Sequence, residues 1–229
     1  DIRKNLIKAA GMVPKDKALS AKEINQIFER IESKVIDFKT GEVVTDLDPE
    51  KFKQIQASKD PSQSIRIPTD QDTAGIKRRA NKGKAYLAKD EAGEVQMIIL
   101  PSRGKGLWST MYGFISVAPD MKTVKGIGFY DHGETPGLGG EIENPQWQKI
   151  WEGKLVYNEK YEPTIEVIKG SVDPSMENSE HKVDGLSGAT ITSNGVQGMI
   201  NYWFSDAAYG NYLKNLRKNL NPQVTETYL

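Results

Sequence analysis

The sequence contains no cysteine. This absence excludes disulfide bonds, iron–sulfur clusters held by cysteine thiolates, thiolate zinc sites and a cysteine nucleophile. Histidine is nearly as scarce, because His132 and His181 are the only two in the chain. A zinc site with three histidine ligands is therefore impossible, and we predict no metal site.

The chain also lacks a net charge, because 31 lysines and arginines balance 31 aspartates and glutamates. A neutral chain sets up no overall positive field to attract phosphate backbones, so we predict no nucleic acid partner.

No apolar run approaches the ~20 residues that are needed to span a bilayer. Because Asp1 is not an initiating residue, we expect that a signal or membrane anchor precedes this sequence.

Hydrophobic spacing and turn signals predict the secondary structure. Ser20 and Glu23 form a capping box, and the apolar residues that follow predict a helix that ends near Phe38. Residues 45–83 are polar and are expected to form a loop with short irregular structure. Strands are predicted at residues 85–88, 94–100, 113–118, 124–130 and 164–168.

Two further helices are predicted in the second half of the chain. Asn144 caps a short helix that ends near Gly153, and a longer helix begins at Thr192 or Ser193, with a weak point at Gly210. The hairpin turns between the strands indicate antiparallel pairing. We therefore expect an α+β fold, with an antiparallel sheet and flanking helices.

Two glycine-bearing segments combine polar and aromatic side chains. Residues 104–113 include Trp108, Met111 and Tyr112, which could wall a flat aromatic ring, although a tight strand connection is the alternative. Residues 132–140 place His132, Glu134 and Thr135 among glycines directly after a predicted strand, as functional loops often do. An ordinary turn at the Pro-Gly pair of that segment is the alternative.

A third segment, residues 184–192, surrounds Gly188-Ala189 with the hydroxyl groups of Ser187, Thr190 and Thr192. Small residues let a bulky group approach the backbone, and a helix start suits a phosphate. A threonine here could bind a phosphate or could itself carry one. The alternative is an ordinary turn followed by a helix cap.

Other nucleotide and hydrolase arrangements are not supported by the sequence. The dinucleotide-binding Gly-x-Gly-x-x-Gly spacing and the phosphate-binding Gly-x-x-x-x-Gly-Lys-Ser/Thr motif are both absent. Ser187 does not lie in a Gly-x-Ser-x-Gly elbow, which weakens the case for a serine hydrolase.

Residues Ser187-Gly188-Ala189-Thr190-Ile191-Thr192 resemble the covalent flavinylation motif of FMN-binding domains in respiratory sodium pumps. In that motif, FMN is joined through its phosphate to the hydroxyl of the threonine that ends Ser/Thr-Gly-Ala-Thr. The corresponding residue here is Thr190. Asp184 matches the aspartate that opens the longer form of the motif and that the modifying flavin transferase recognises.

Further segments resemble the C subunit of the sodium-translocating NADH:quinone oxidoreductase in the same order along the chain. These segments are Asp1–Met12, Ala74–Arg79, Gly104–Gly113 and Glu134–Gly139. The Rnf-type ferredoxin:NAD oxidoreductase has a related G subunit with the same threonine chemistry. The Lys105–Ser109 segment and the Arg78-Arg79 pair favour the C subunit over that alternative.

The resemblance implies an electron-carrying subunit of a sodium-pumping NADH:quinone oxidoreductase. Residues 19–220 would form the FMN-binding domain, residues 1–18 a juxtamembrane segment after an N-terminal membrane helix, and residues 221–229 a frayed tail. The domain would lie on the periplasmic side of the bacterial inner membrane. Other subunits would oxidise NADH and reduce quinone, so the isolated domain would have no turnover of its own.

The implied cofactor is FMN in a phosphoester bond to Thr190, attached by a flavin transferase that uses FAD and magnesium. Ser187, Gly188, Ala189 and Thr192 would surround the attachment point. Further residues expected to contact the cofactor are Trp108, Thr110, Met111, Tyr112, His132, Glu134, Thr135, Leu138 and Gly139. An extracytoplasmic binding module without a redox role is the alternative from a different class.

Overall fold

The structure, a computed structural model, describes residues 2–220. Its centre is a six-stranded antiparallel sheet with the strand order β2-β1-β5-β6-β7-β8. The strands of this sheet are β1 Ile31–Asp37, β2 Val43–Val44, β5 Lys82–Lys89, β6 Val95–Lys105, β7 Thr110–Val117 and β8 Val124–Asp131. Two small pairs lie outside it, β3 Ser64–Arg66 with β4 Arg78–Ala80, and β9 Glu166–Val167 with β10 Lys182–Val183.

Helices flank the sheet, which confirms the predicted α+β class. They are α1 Ile2–Ala9, α2 Ala21–Phe28, α3 Gln54–Ser58, α4 Pro145–Ile150, α5 Thr190–Trp203 and α6 Gly210–Leu220. The predicted caps of two of them are confirmed, because Ser20 accepts a hydrogen bond from the N–H of Glu23, and Asn144 accepts one from Gln146. Within residues 2–220, no helix is long and apolar enough to cross a bilayer.

The two faces of the sheet bury separate hydrophobic clusters, because successive side chains of a strand point to opposite sides. On one face, Met111 and Ile115 of β7 pack with Met199 of α5 in the larger cluster. On the other face, Phe114 of β7 packs in a smaller cluster with Leu6 of α1 and Ile24 of α2. Helix α5 and the segment around Thr190 at its start therefore belong to one face, and α1 and α2 belong to the other.

The predicted helix from Ser20 to Phe38 is wrong in its second half. The helix ends at Phe28, and residues Ile31–Asp37 form strand β1. This strand pairs along its whole length with β5, and Ile31 and Val35 are buried in it. A spacing of four residues repeats on one face of a helix and also on one face of a strand, so the apolar pattern did not distinguish the two.

The other boundaries are also adjusted. Residues 45–83 hold α3, β3, β4 and the start of β5 rather than only a loop, whereas the predicted strand at residues 164–168 shortens to Glu166–Val167. The predicted helix start at Thr192 or Ser193 is wrong, because α5 begins at Thr190 with Ala189 as its N-cap residue. The weak point at Gly210 is confirmed as the start of a separate helix. The predicted frayed tail lies outside the described residues.

Candidate functional site

Thr190 occupies the first position of α5, and it is exposed. The N-cap residue Ala189 has no side chain that could accept a hydrogen bond from the first helical turn. Gly188 before it adopts a left-handed conformation with φ +70°, which favours glycine. The result is a hydroxyl group at the positive end of a helix, beside a turn without a large side chain.

The segment before Thr190 is held in place by its own polar groups. The side chain of Ser193 donates a hydrogen bond to the carbonyl of Ala189 over 2.9 Å and accepts one from the N–H of Leu186 over 3.0 Å. Asp184 accepts a hydrogen bond from the N–H of Val172 over 2.8 Å. These bonds fix the chain on both sides of the exposed residues 187 and 188, so the turn that precedes Thr190 is anchored at each end.

A buried carboxylate joins the three glycine-bearing segments. Glu134 is 4% exposed, and its two oxygens accept hydrogen bonds from Leu107 N–H (2.7 Å), Trp108 N–H (3.0 Å), Ser109 Oγ (3.2 Å) and Thr192 Oγ1 (2.7 Å). One side chain thus ties the 104–110 turn to the first turn of α5. The sequence suggested a functional loop here but did not indicate this role of Glu134.

The hydrogen bonds also determine the charge of Glu134. Burial alone would raise its pKa, because a carboxylate loses hydration in the protein interior. The bonds from Thr192 and from the 107–109 turn outweigh burial, so the pKa of Glu134 lies below its ordinary value. Glu134 is therefore ionised at neutral pH and acts as an acceptor for all four donors.

Two glycines allow the carboxylate to fit. A Cβ atom on Gly106 would overlap the Glu134 carboxylate, and a Cβ atom on Gly139 would overlap the hydroxyl of Thr192. Neither glycine has a positive φ, so close approach rather than backbone conformation explains the residue type at both positions. The glycines of the first two segments thus make room for the frame around Glu134.

His132 supports the same loop from its other side. Its Nδ1 atom accepts a hydrogen bond from the N–H of Glu134 over 3.0 Å, and its Nε2 atom lies 2.6 Å from Glu143 Oε1. The N–H of Gly133 donates to Ser109 Oγ over 2.6 Å. His132 therefore positions the loop, whereas the neighbouring Thr135 is exposed at the surface.

Apolar side chains surround this polar frame at the surface. Leu107 and Trp108 come from the 104–110 turn, Leu138 from the next loop and Ile191 from the first turn of α5, and their exposed fractions are 42%, 70%, 45% and 57%. A methyl carbon of Leu138 lies 3.2 Å from the position that a Cβ atom on Gly188 would take. Large apolar side chains exposed in one region of a surface are characteristic of binding surfaces. We refer to Leu107, Trp108, Leu138 and Ile191 as the apolar rim.

The structure brings most of the predicted site residues together, but not all of them. Ser187, Gly188, Ala189, Thr192, Glu134, Leu138 and Gly139 lie around Thr190 or in its supporting frame. Met111 is fully buried beneath α5, and Tyr112 points to the opposite face of the sheet, where it contacts Tyr130. Thr110 shares the strand face of Tyr112. Sequence reasoning missed Leu107, Ile191 and Ser109, although exposed apolar residues next to glycines could have indicated the first two.

Comparison with known proteins agrees with this geometry. Residues 106–205 match the family model of the FMN-binding domain. This match identifies the class of domain to which the fold and the site belong. The chain is 44% identical over 219 residues to the C subunit of the Na(+)-translocating NADH-quinone reductase of Yersinia pestis, covering 95% of this chain and 80% of that protein. It is 47% identical over 213 residues to the same subunit of Neisseria meningitidis serogroup B, covering 93% and 79%.

Solved structures show the same relationship. NqrC of Shewanella oneidensis superposes with a TM-score of 0.84 at 32% identity, over 94% of this chain and 96% of that chain. The C subunit from Parabacteroides distasonis gives a TM-score of 0.69 at 25% identity, over 93% and 91%. The chain belongs to the family formed by the C subunits of the Na(+)-translocating NADH-quinone reductases. The expectation of an oxidoreductase subunit is thereby confirmed, in preference to the related G subunit.

Proposed function

We propose that this chain carries electrons within a sodium-translocating NADH-quinone reductase, using FMN bound covalently to Thr190 through a phosphoester. The observation that supports this most directly is the exposed hydroxyl of Thr190 at the start of α5, beside the left-handed Gly188. The relatives named above indicate which complex we propose, because each is the C subunit of that reductase. The other subunits of the membrane complex are the proposed partners.

The surroundings of Thr190 fit a phosphate. The first-turn N–H groups of a helix have no acceptor within the helix, and Ala189 offers none, so they are available to phosphate oxygens. Gly188 on the adjoining side has no side chain of its own, and a methyl group of Leu138 lies beside it. The helix start contributes about 0.3–1 kcal/mol to the stability of a negative charge at an exposed position.

Among the three hydroxyl groups of the motif, Thr190 is the best acceptor. Thr192 is 2% exposed and already donates to Glu134, so its modification would break the supporting frame. Ser187 is exposed but precedes the helix and lacks the helix N-terminus beside it. We therefore assign attachment to Thr190 and a supporting role to Thr192.

The apolar rim fits the flat ring system of a flavin. Bound FMN supplies reversible electron transfer, which none of the chain's own side chains provides at ordinary potentials. The rim residues would cover part of the ring from water, and Trp108 offers a broad aromatic surface. Glu134 holds the 104–110 turn and α5 at a fixed separation, which would keep the rim in position when the flavin changes its charge.

Attachment requires a second protein. Thr190 would lose its hydroxyl proton and form the ester with the FMN phosphate, and AMP would leave when a flavin transferase uses FAD as the donor. Residues 187, 188, 190 and 191 are exposed and therefore accessible to such an enzyme. Asp184 would contribute to recognition, and its bond to Val172 also fixes the approach to the motif. We also propose that a membrane helix anchors the domain at its N-terminal side and that the domain lies on the periplasmic side of the membrane.

Intact mass spectrometry tests the attachment. The chain is produced with and without the flavin transferase, and we expect a mass increase of one FMN minus one water only when the transferase is present. Thr190→Ala should abolish the adduct, whereas Thr135→Ala, which removes another exposed hydroxyl group near the rim, should leave it intact. An adduct that persists in Thr190→Ala, or its absence from the parent chain, would contradict the proposal.

A further inference from the structure

A second candidate site lies on the face of the sheet opposite Thr190. It is a cleft of about 630 Å³, bounded by β5, β6, β7 and β8 on one side and by α1, α2 and α3 at its margins, with Ser33 of β1 and Trp203 at the end of α5 also in its lining. This volume falls within the range of small-molecule sites, about 300–1,000 Å³. The proposed attachment of FMN does not use this cleft, because the residues around Thr190 do not line it.

Aromatic rings form the floor of the cleft. Tyr130 contacts Phe114 and Tyr112, with ring centroids 5.4 Å and 6.2 Å apart and interplanar angles of 35° in both cases. Tyr86 adds an edge-to-face contact with Phe114 over 6.5 Å. Phe114 and Tyr86 are buried in the floor, whereas the half-buried rings of Tyr112 and Tyr130 retain exposed surface against which another flat ring can pack.

The charge of the lining is strongly one-sided. Its cationic residues are Arg3, Lys53, Lys59, Lys84 and Arg103, whereas Glu50 is its carboxylate. Lys84 and Arg103 are half-buried, and desolvation lowers the pKa of each. Among the described residues, neither forms an ion pair with a carboxylate. Partly dehydrated cations without a paired carboxylate favour a bound anion.

The phenol groups of the floor add hydrogen-bond donors. Among residues 2–220, the hydroxyl groups of Tyr86, Tyr112 and Tyr130 take part in no hydrogen bond within the protein. Burial raises the pKa of Tyr86 and of Tyr130 to about 12, so both remain protonated at neutral pH. Each can therefore donate to an anionic group of a ligand.

We propose that this cleft binds a small molecule that combines a planar aromatic ring with an anionic group, such as a carboxylate, sulfonate or phosphate. The ring stacks on Tyr112 and Tyr130, and the anionic group lies toward Lys84 and Arg103. The aromatic rings of the floor account for the ring of the ligand, and the cations and phenol groups account for its anionic group. Binding here does not use the residues around Thr190, because none of them lines the cleft.

Isothermal titration calorimetry with two matched probes tests the proposal. We expect saturable binding of naphthalenesulfonate and at least roughly tenfold weaker binding of the neutral naphthalenemethanol, since one charge-assisted hydrogen bond accounts for such a factor. Lys84→Met keeps the apolar stem and should weaken naphthalenesulfonate binding by roughly the same factor. Lys82→Met, on the same strand but outside the cleft lining, is the matched control and should leave binding unchanged.

Two further variants separate the possible outcomes. Tyr112→Leu should weaken both probes, because the ring surface is lost while the charge remains. Thr190→Ala should bind both probes as the parent chain does, so failure of flavin attachment would leave this result untouched. Equal binding of the two probes, equal effects of Lys84→Met and Lys82→Met, or no saturable binding of naphthalenesulfonate would overturn the proposal.

Discussion

The Thr190 region and the aromatic cleft are built in contrasting ways. Thr190 stands on an open surface, with a buried carboxylate beneath it and an apolar rim around it. The cleft encloses about 630 Å³ between aromatic rings and cations. The ligand proposed at Thr190 would be held by a covalent bond and would not dissociate, so its site would need little enclosure. A ligand held without a bond must gain its affinity from buried area and paired charges.

The largest effect that separates the two regions is expected from Glu134→Gln. In glutamine, an NH2 group takes the place of one carboxylate oxygen and would face a hydrogen-bond donor of the protein. At least one of the four hydrogen bonds is then lost, and a buried donor remains unpaired. We expect the free energy of unfolding to fall by about 1–3 kcal/mol, measured by chemical denaturation. Affinity of the cleft for naphthalenesulfonate should not change.

Glu159→Gln is the matched control for that variant. Glu159 is an exposed carboxylate in a turn, and its neutralisation should change the free energy of unfolding by no more than about 0.5 kcal/mol. Equal stability of the parent and Glu134→Gln would show that Glu134 does not hold the frame. A parallel loss of affinity in the cleft would show that the two regions are not independent.

Acid should reduce the contribution of Glu134 to stability. Its pKa is lowered in the folded protein, so this contribution is fully present above the pKa of the unfolded chain and is lost as pH falls through the folded pKa. We expect the difference in free energy of unfolding between the parent chain and Glu134→Gln to shrink as the pH falls below about 4.3, the ordinary pKa of a glutamate in an unfolded chain. A difference that grows toward low pH would contradict this assignment of charge.

The smallest effect on stability is expected from Trp108→Ser. Trp108 is 70% exposed, so its removal should change the free energy of unfolding by no more than about 0.5 kcal/mol. In flavin-loaded protein, the same change should alter the visible absorption of the flavin, because a neighbouring aromatic surface is lost. An unchanged spectrum would remove Trp108 from the flavin environment, and a large loss of stability would show that its ring packs against the protein.

The sequence alone was sufficient for the four strands β5 to β8 of the antiparallel sheet, and it located the stretch proposed for attachment, because both depend on local signals. Turn residues mark the hairpins, and the Ser-Gly-Ala-Thr stretch is continuous in the chain. The frame around Glu134 could not be predicted in the same way. Its donors Leu107 and Thr192 lie far from Glu134 in sequence, and only the fold brings them within hydrogen-bond distance.

Side-chain direction explains the remaining differences. Met111 and Tyr112 were both expected to contact a flavin because their side chains could wall a flat ring in a segment that resembles the FMN-binding family. Adjacent residues of a strand point to opposite faces, so they cannot share one site. Met111 lies in the hydrophobic core under α5, and Tyr112 lines the cleft. The cleft could not be predicted because its aromatic and cationic residues come from elements that are distant in the chain.

The position of Thr190 on α5 also has a consequence for the order of events in biosynthesis. Beyond its first turn, the helix packs into the protein interior through the buried residues Val196, Met199 and Ile200, whereas Thr190 is exposed. A modifying enzyme can therefore act on a finished domain without opening it. Under the proposed attachment, flavin could therefore be added after folding, and a folded protein that still lacks flavin would remain a substrate for the transferase.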